Sequence, residues 1–298
     1  MPSSCTAVSY GQTLPQESLA VIRALFTANG ATVLAESSAQ HPGFDAVTFS
    51  LEMAGDDEHD AVSRLRTALA DAVLENLDIA VVPDSLHHAA RKFIIMDVDS
   101  TLIQQEVIEL LAAHAGKEAE VAEVTEAAMR GEMDFAQSLH HRVSTLAGLP
   151  ESVLAEVEAS IRLSVGAERL VARAKASGHT VAAVSGGFSQ ILAPLAARLG
   201  LDFALANDLE IVDGHLTGKV CGDVVDRATK ARVLRTWSAE AGIDVGATMA
   251  IGDGANDLDM MAAAALGVAF NAKPAVRAAA DAQINLPNLD VALALAGI

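Results

Sequence analysis

The chain is short of cysteine, of cations and of long apolar runs. Its 298 residues hold two cysteines, Cys5 and Cys221, far apart in sequence; such a pair makes no disulfide framework. The longest apolar stretches, such as "MAAAALGVAF" at 261–270, fall well short of the roughly 18 residues of a membrane-spanning helix, so no membrane partner is expected. The start, "MPSSCTAVSYGQ", lacks a charged segment followed by an apolar one. That argues against secretion and makes the cytoplasm the expected location. Lys and Arg number 20 against 39 Asp and Glu, a formal charge of -19, which repels nucleic acid at long range. A small anionic substrate remains open to such a chain, given a few cations inside a site. No two histidines stand at the i, i+4 spacing of a helical metal site, and all nine are read as structural or solvated.

What is present is apolar. A hydrophobic fraction of 51% and a mean hydropathy of +0.33 exclude a disordered chain and give a large core. Residues 1–88 read as strand, helix, strand, strand, helix, strand, the order of a small split βαβ sandwich. Within them the acidic run "DDEHD" at 56–60 lacks the alternating ligands and central glycine of a calcium loop and reads as a solvated turn and helix start. From about residue 89 strands alternate with helices, predicting a doubly wound α/β domain with a parallel sheet and ligands beyond the carboxyl ends of its strands. "LEIVDGHLTGKV" at 209–220 breaks the alternation, because Asp213 and Gly214 divide two short runs as in a β-hairpin. Residues of about 104–165 are purely helical in pattern and read as a cap inserted over the site.

Three strand ends carry chemistry-bearing residues. In "FIIMDVDSTLIQQE" at 93–106, Asp97 and Asp99 end an apolar strand and, two apart, face one side. A buried carboxylate needs a compensating cation; a hard divalent ion such as Mg²⁺ with oxygen ligands answers that need, and a structural turn is the alternative. "VAAVSGGF" puts Ser185, Gly186 and Gly187 between a strand and a helix. That is either an anion site of hydroxyl and bare N–H groups or an ordinary glycine turn. "AIGDGANDLDM" repeats the first pattern with Asp253, Asn256 and Asp257; it has no third glycine for a dinucleotide fingerprint. Lys230, early in a helical run, is a candidate cation, although an isolated lysine on a helix is usually solvated. In the cap, Phe135, Leu139, Arg142, Val143 and Leu146 fall on one helical face. Arg142 on that stripe either snorkels outward or pairs with a buried anion.

Over nearly all of 91–298 these residues resemble a known family. "DVDST" with Glu106, "SGG", Lys230 and "GDGAND" are similar to the four motifs of the haloacid dehalogenase superfamily. "MDVDSTLIQQEVIELLA", "DFAQSLHHRVSTLAGLP", "VSGGF", "LTGKV" and "GVAFNAKP" resemble its phosphoserine phosphatase branch. The resemblance implies hydrolysis of O-phospho-L-serine, the last step of serine biosynthesis, through an aspartyl-phosphate. It implies Asp97 as nucleophile, Asp99 as general acid and base, and Mg²⁺ held by Asp97, Asp253 and the Asp99 backbone carbonyl. Ser185, Gly186, Lys230 and Asn256 would hold the phosphoryl group, and Asp257 would support the metal waters or Lys230. Arg142 would take the substrate carboxylate and Glu106 its ammonium, while Met129 and Phe135 close the pocket. The alternatives are hydrolysis of, or transfer from, another small phosphate such as phosphohomoserine, and a regulatory protein that binds amino acids without catalysis. Intact catalytic positions argue against the second. The order of elements in 1–88 resembles ACT-type domains, implying either a free amino-acid effector or a packing and homodimer contact. One departure from the family pattern is "RLSVGAERL" at 162–170, where related sequences generally carry proline before the glycine, which bears on the hinge of the cap.

Overall fold

The computed structural model describes residues 3–53, 57–70, 77–129 and 134–298, without the side chains of Ser3, Glu58, Ala70, Ala127, Ala128, Met129 and Phe135. The first six elements are β1 (Ser3–Gly11), α1 (Gln16–Ala28), β2 (Ala31–His41), β3 (Phe44–Met53), α2 (Glu58–Ala70) and β4 (Leu77–Pro83). They follow the order expected from the sequence. The strands form an antiparallel sheet in the order β2-β3-β1-β4. Leu19, Ile22 and Phe26 lie on one face of α1 and are buried, with Phe26 edge-on to Phe49 of β3 at 5.3 Å. Glu58 opens α2, inside the acidic run at 56–60, whose first residue lies outside the described residues.

The chain continues through α3 (Asp84–His87), β5 (Phe93–Met96), α4 (Val107–His114), α5 (Glu118–Met129), α6 (Phe135–Ser144), α7 (Ser152–Ser160) and α8 (Ala167–Ala176). Next come β6 (Thr180–Phe188), α9 (Ser189–Leu199), β7 (Phe203–Val212), β8 (His215–Cys221) and α10 (Arg227–Glu240). The last elements are β9 (Thr248–Gly252), α11 (Leu258–Ala263), β10 (Leu266–Phe270), α12 (Pro274–Ala279), β11 (Ala282–Ile284) and α13 (Val291–Ala296). Seven strands make the second sheet in the order β11-β10-β9-β5-β6-β7-β8. All its pairings are parallel except β7 with β8, the expected hairpin, turned through Asp213 (φ 51°) and Gly214 (φ 73°). All four residues of β5 are buried, as a strand covered on both faces requires. The edge strand β11 was not expected from the sequence. After β5 the chain builds outward through β6, then returns to place β9 on the other side, so β5 lies at the switch point where such sheets bind ligands. None of the helices among the described residues is long and apolar enough to cross a membrane.

Helices α4 to α7 stand between β5 and α8, and the chain enters and leaves that stretch side by side. Ile103 and Leu163 form an antiparallel bridge, Gln104 N donates to Arg162 O at 2.9 Å, and Ser164 N donates to Leu102 O at 3.0 Å. The two sheets share one apolar core: Val8, Tyr10, Ala80 and Val82 join Leu86, Val291 and Leu295. At this seam Tyr10 Oη donates to Gln283 O at 2.5 Å, and the Asp78 carboxylate accepts from Asn285 N and Nδ2 at 3.0 and 2.8 Å. Residues 288–290 touch three regions at once. Asn288 Nδ2 donates to Pro42 O between β2 and β3 at 3.2 Å. Leu289 N donates to Val165 O at 2.8 Å, and Arg169 Nε donates to the buried Asp290 at 2.6 Å. At Val165, where proline was the family expectation, the chain is thus held by an external strand-like contact.

Gly166 opens α8 at φ 81°, and a Cβ there would overlap the Asp290 carboxylate. Gly30 has a similar φ of 76° but open space around it. Left-handed backbone costs an L-residue about 1–2 kcal/mol, so Gly30→Ala should destabilise by about that amount. Gly166→Ala adds the clash and should cost about 3 kcal/mol or more; urea denaturation of the two variants measures the difference.

Candidate active site

The wide turn after β5 aims the first two aspartates. Leu102 N donates to Asp97 O at 3.3 Å and Ile103 N to Val98 O at 2.9 Å, and Ser100 takes φ 54°, unusual for a residue with a Cβ. Asp97 is buried, and its Oδ1 accepts from its neighbour's Val98 N at 2.8 Å and from Lys230 Nζ at 2.7 Å. Asp99 turns the other way: Oδ1 accepts from Val107 N at 2.7 Å and Oδ2 from Ser185 Oγ at 2.9 Å. Both oxygens of the Asp99 carboxylate are thus engaged away from Lys230.

Lys230 comes from the first turn of α10, which Asp226 caps by accepting from Thr229 N at 2.8 Å. Its side chain has no exposed surface and also donates to Asp257 Oδ1 at 2.7 Å. Burial alone would lower its pKa, but Asp257 and Asp97 more than reverse this and raise it. Asp257 Oδ2 accepts from Gly254 N at 3.1 Å, so both its oxygens are engaged. A Cβ at Gly252 would overlap Asp257, and one at Gly254 would overlap Asn256 Oδ1, which accounts for both glycines of "GDGAND". Asp253 Oδ1 accepts from Thr101 Oγ1 at 3.2 Å.

Carboxylate oxygens of Asp97, Asp253 and Asp257 lie within 4.8 Å of one another. Three buried carboxylates against one ammonium leave the cluster short of positive charge, and the titration behaviour reflects it. Burial, then repulsion from Asp257, raises Asp97 despite Lys230 and pushes Asp253 up to about 7. Asn256 Oδ1 is buried with no hydrogen-bond partner. Asp97 Oδ2 and Asp253 Oδ2 carry no hydrogen bond among the described residues. Hard oxygen donors with uncompensated charge fit a divalent cation of the Mg²⁺ kind; Asp257, tied at both oxygens, fits a tether for Lys230 better than a ligand.

Of the anion-site residues, Ser185 is buried and accepts from Gly187 N at 2.7 Å while donating to Asp99. Gly186 and Asn256 line the pocket with Asp97, Asp99, Glu106, Arg142 and Thr125. Arg142 is 5% exposed, and burial lowers its pKa against the pull of Glu106, Asp99 and Glu109. In the same pocket Glu106 accepts from Ser100 Oγ at 2.6 Å, and burial followed by Asp99 and Asp253 raises its carboxyl well above the usual range. Leu139, Val143 and Leu146 are buried beside Arg142, as the helical face predicts, whereas His140 and His141 are exposed. Met129 and Phe135, expected to close the pocket, have side chains outside the described residues.

Three residues here were not singled out from sequence. Thr101 holds Asp253, Thr125 holds Arg142, and buried Asn207 links the end of β6 to the segment before α10 by donating to Gly186 O and accepting from Val225 N, both at 2.8 Å. A polar residue closing an apolar strand, as in "FALAN", was the one available signal, for Asn207.

A parallel sheet with acids, a lysine and a glycine turn at its switch point defines a class. The family model of haloacid dehalogenase-like hydrolases matches residues 94–262, and the chain belongs to that family. Within it the chain is 61% identical over 235 residues to a phosphoserine phosphatase of Streptomyces coelicolor, covering 78% of this chain and 57% of that protein. The chain thus spans less than two thirds of that relative's length. A solved structure described as a phospho-aspartyl intermediate analogue of phosphoserine phosphatase is 41% identical, with a TM-score of 0.67 over 68% of this chain and 98% of that one. An unliganded probable phosphoserine phosphatase from Vibrio cholerae is 38% identical, with a TM-score of 0.75 over 98% of this chain and 87% of the other.

The cluster predicts a pH dependence. Asp253 keeps its proton up to about pH 7 when folded and ionises near 3.8 when unfolded. Between those values the unfolded state has fewer protons, so stability without divalent cation falls as pH rises from about 4 to 7. The melting temperature gained on adding Mg²⁺ should therefore be larger at pH 8 than at pH 5.5, and Asp253→Asn should abolish most of the gain. Differential scanning fluorimetry reads both.

Proposed function

We propose that the chain is a Mg²⁺-dependent phosphoserine phosphatase that hydrolyses O-phospho-L-serine to L-serine and phosphate through an aspartyl-phosphate. The observation that carries this reading is one pocket that joins Asp97 and Asp99 to a buried guanidinium, Arg142, and a further carboxylate, Glu106. Of small phosphate esters, an amino acid satisfies both ends: its carboxylate suits the planar fork of Arg142 and its ammonium the charge of Glu106. The names of the relatives support the same substrate.

Asp97 attacks phosphorus, and the bond to the serine oxygen breaks as Asp99 gives that oxygen its proton. Burial raises the pKa of Asp99, which favours its holding a proton to give. Asp99 then takes a proton from the attacking water, the new P–O bond forms, and the bond to Asp97 breaks. Lys230, beside Asp97 at 2.7 Å, offsets charge on the phosphoryl oxygens, and Gly186 and Asn256 hold them from the pocket wall. Ser185 joins them once its hydroxyl turns from Asp99. Asp97, Asp253 and the Asp99 carbonyl would hold Mg²⁺, whose charge when bound further neutralises the phosphoryl group. The antiparallel sheet of residues 1–88 supports an ACT-like unit beside a phosphatase unit of 89–298, with the insertion near 104–165 as its cap. That first unit is where a free amino-acid effector or a homodimer contact belongs. The cysteine usage fits the cytoplasm.

Asp97→Asn should abolish turnover and, in intact-protein mass spectrometry after quenching, show no phosphoenzyme; wild-type-like activity would overturn the assignment. Phosphoethanolamine keeps the phosphate and ammonium but lacks the carboxylate. The wild type should prefer O-phospho-L-serine by about 10²-fold or more in kcat/KM, since a buried guanidinium left unpaired costs several kcal/mol. Arg142→Ala should erase most of that preference.

A further inference from the structure

We infer that Thr125 is a positioning residue for recognition of the substrate carboxylate: its hydroxyl fixes the Arg142 guanidinium without neutralising it. The inference rests on the phosphoserine phosphatase reading and adds to it a residue that acts through Arg142. Thr125 sits on α5, 3% exposed, and lines the same pocket as Arg142 on α6. Its Oγ1 donates to Val121 O one turn back at 2.8 Å. A hydroxyl has a single proton, so with that proton committed the oxygen can only accept from its other side. There Arg142 NH1 donates to it at 3.1 Å. The second tie comes from α6 itself, where Arg142 Nε donates to Ser138 O at 3.2 Å.

Both acceptors are neutral. Arg142 makes no ion pair among the described residues, although it is buried and Glu106, Asp99 and Glu109 are the charges acting on it from a distance. Of its five N–H donors, these two ties occupy two and set the plane of the fork, leaving the others for an anion in the pocket. A carboxylate at position 125 would hold the guanidinium as firmly but would cancel the charge that an incoming carboxylate must find. A threonine whose proton is already engaged holds it and leaves the charge intact. The tie also spans two cap helices, so it fixes the Arg142 head relative to α5 as well as to its own helix.

The test is the ratio of kcat/KM for O-phospho-L-serine to that for phosphoethanolamine. Thr125→Val keeps the branched shape and removes the acceptor. The ratio should fall about tenfold, the worth of one hydrogen bond to a charged group, through a higher KM for O-phospho-L-serine. Thr125→Ser should restore it, and Thr125→Ala serves as a second acceptor-free variant should the valine protein fold poorly. In an Arg142→Ala background Thr125→Val should leave the ratio where it is. An equal loss for both substrates, or the same fall in that background, overturns the inference and leaves the substrate assignment standing. A wild-type ratio in Arg142→Ala alone overturns the substrate assignment and this inference with it.

Discussion

Everything at the sheet's carboxyl end is arranged around one ammonium with no surface. Lys230 reaches Asp97 at the end of β5 and Asp257 beyond β9 at the same distance of 2.7 Å. Removing one partner of a buried ion pair costs about 3–5 kcal/mol, so the start of α10, the end of β5 and the loop after β9 cannot drift independently. The tight loop follows from it: Asp257 can reach Lys230 only where Gly252 and Gly254 leave room for its side chain and for Asn256. The same contact explains why the cluster is left in deficit. One lysine shared between two carboxylates cannot also balance Asp253, and the remaining negative charge is what a bound cation would offset.

A second, separate balance governs the side of the pocket formed by α5 and α6. Arg142 and Glu106 are both driven toward neutrality by burial, the guanidinium downward and the carboxyl upward in pKa. A ligand with one charge of each sign, correctly spaced, relieves both at once, whereas a ligand matching one end leaves the other desolvated. Ile108, Leu139 and Phe188 complete the lining and supply the low-polarity surroundings in which such matching carries weight. Discrimination in the proposed reaction therefore arises from two opposite desolvation costs, and the strand ends supply the chemistry.

Much of this was legible in the chain because strand ends announce themselves. An apolar run that stops at Asp97, at Ser185 or at Asp253 brings a polar group to the edge of the core, where it is costly unless a partner or a ligand meets it. Arg142 stood out by sitting on an apolar helical face. Residues that act at right angles to local periodicity stayed hidden. Thr101, Thr125 and Asn207 are ordinary polar residues in sequence, and their partners lie 152, 17 and 21 positions away for the contacts to Asp253, Arg142 and Gly186. The strand β11 has three residues, too few to show an alternation, and exists because β10 offers an open edge. The tie of Asp257 to Lys230 was one of two roles open for that residue, and only geometry separates them.

The junction at residues 288–290 bears on how the chain is made. The turn between β2 and β3, the return point of the inserted helices at Val165 and the salt link to Arg169 all close on this one late segment. During synthesis the first sheet leaves the ribosome some two hundred residues before its docking surface on β11 and α13 exists. Domains emerging in this order fold as units, so the early sheet must hold its shape with Tyr10 and Val82 uncovered. Residues 288–290 then tie that early sheet to the point where the chain leaves the inserted helices.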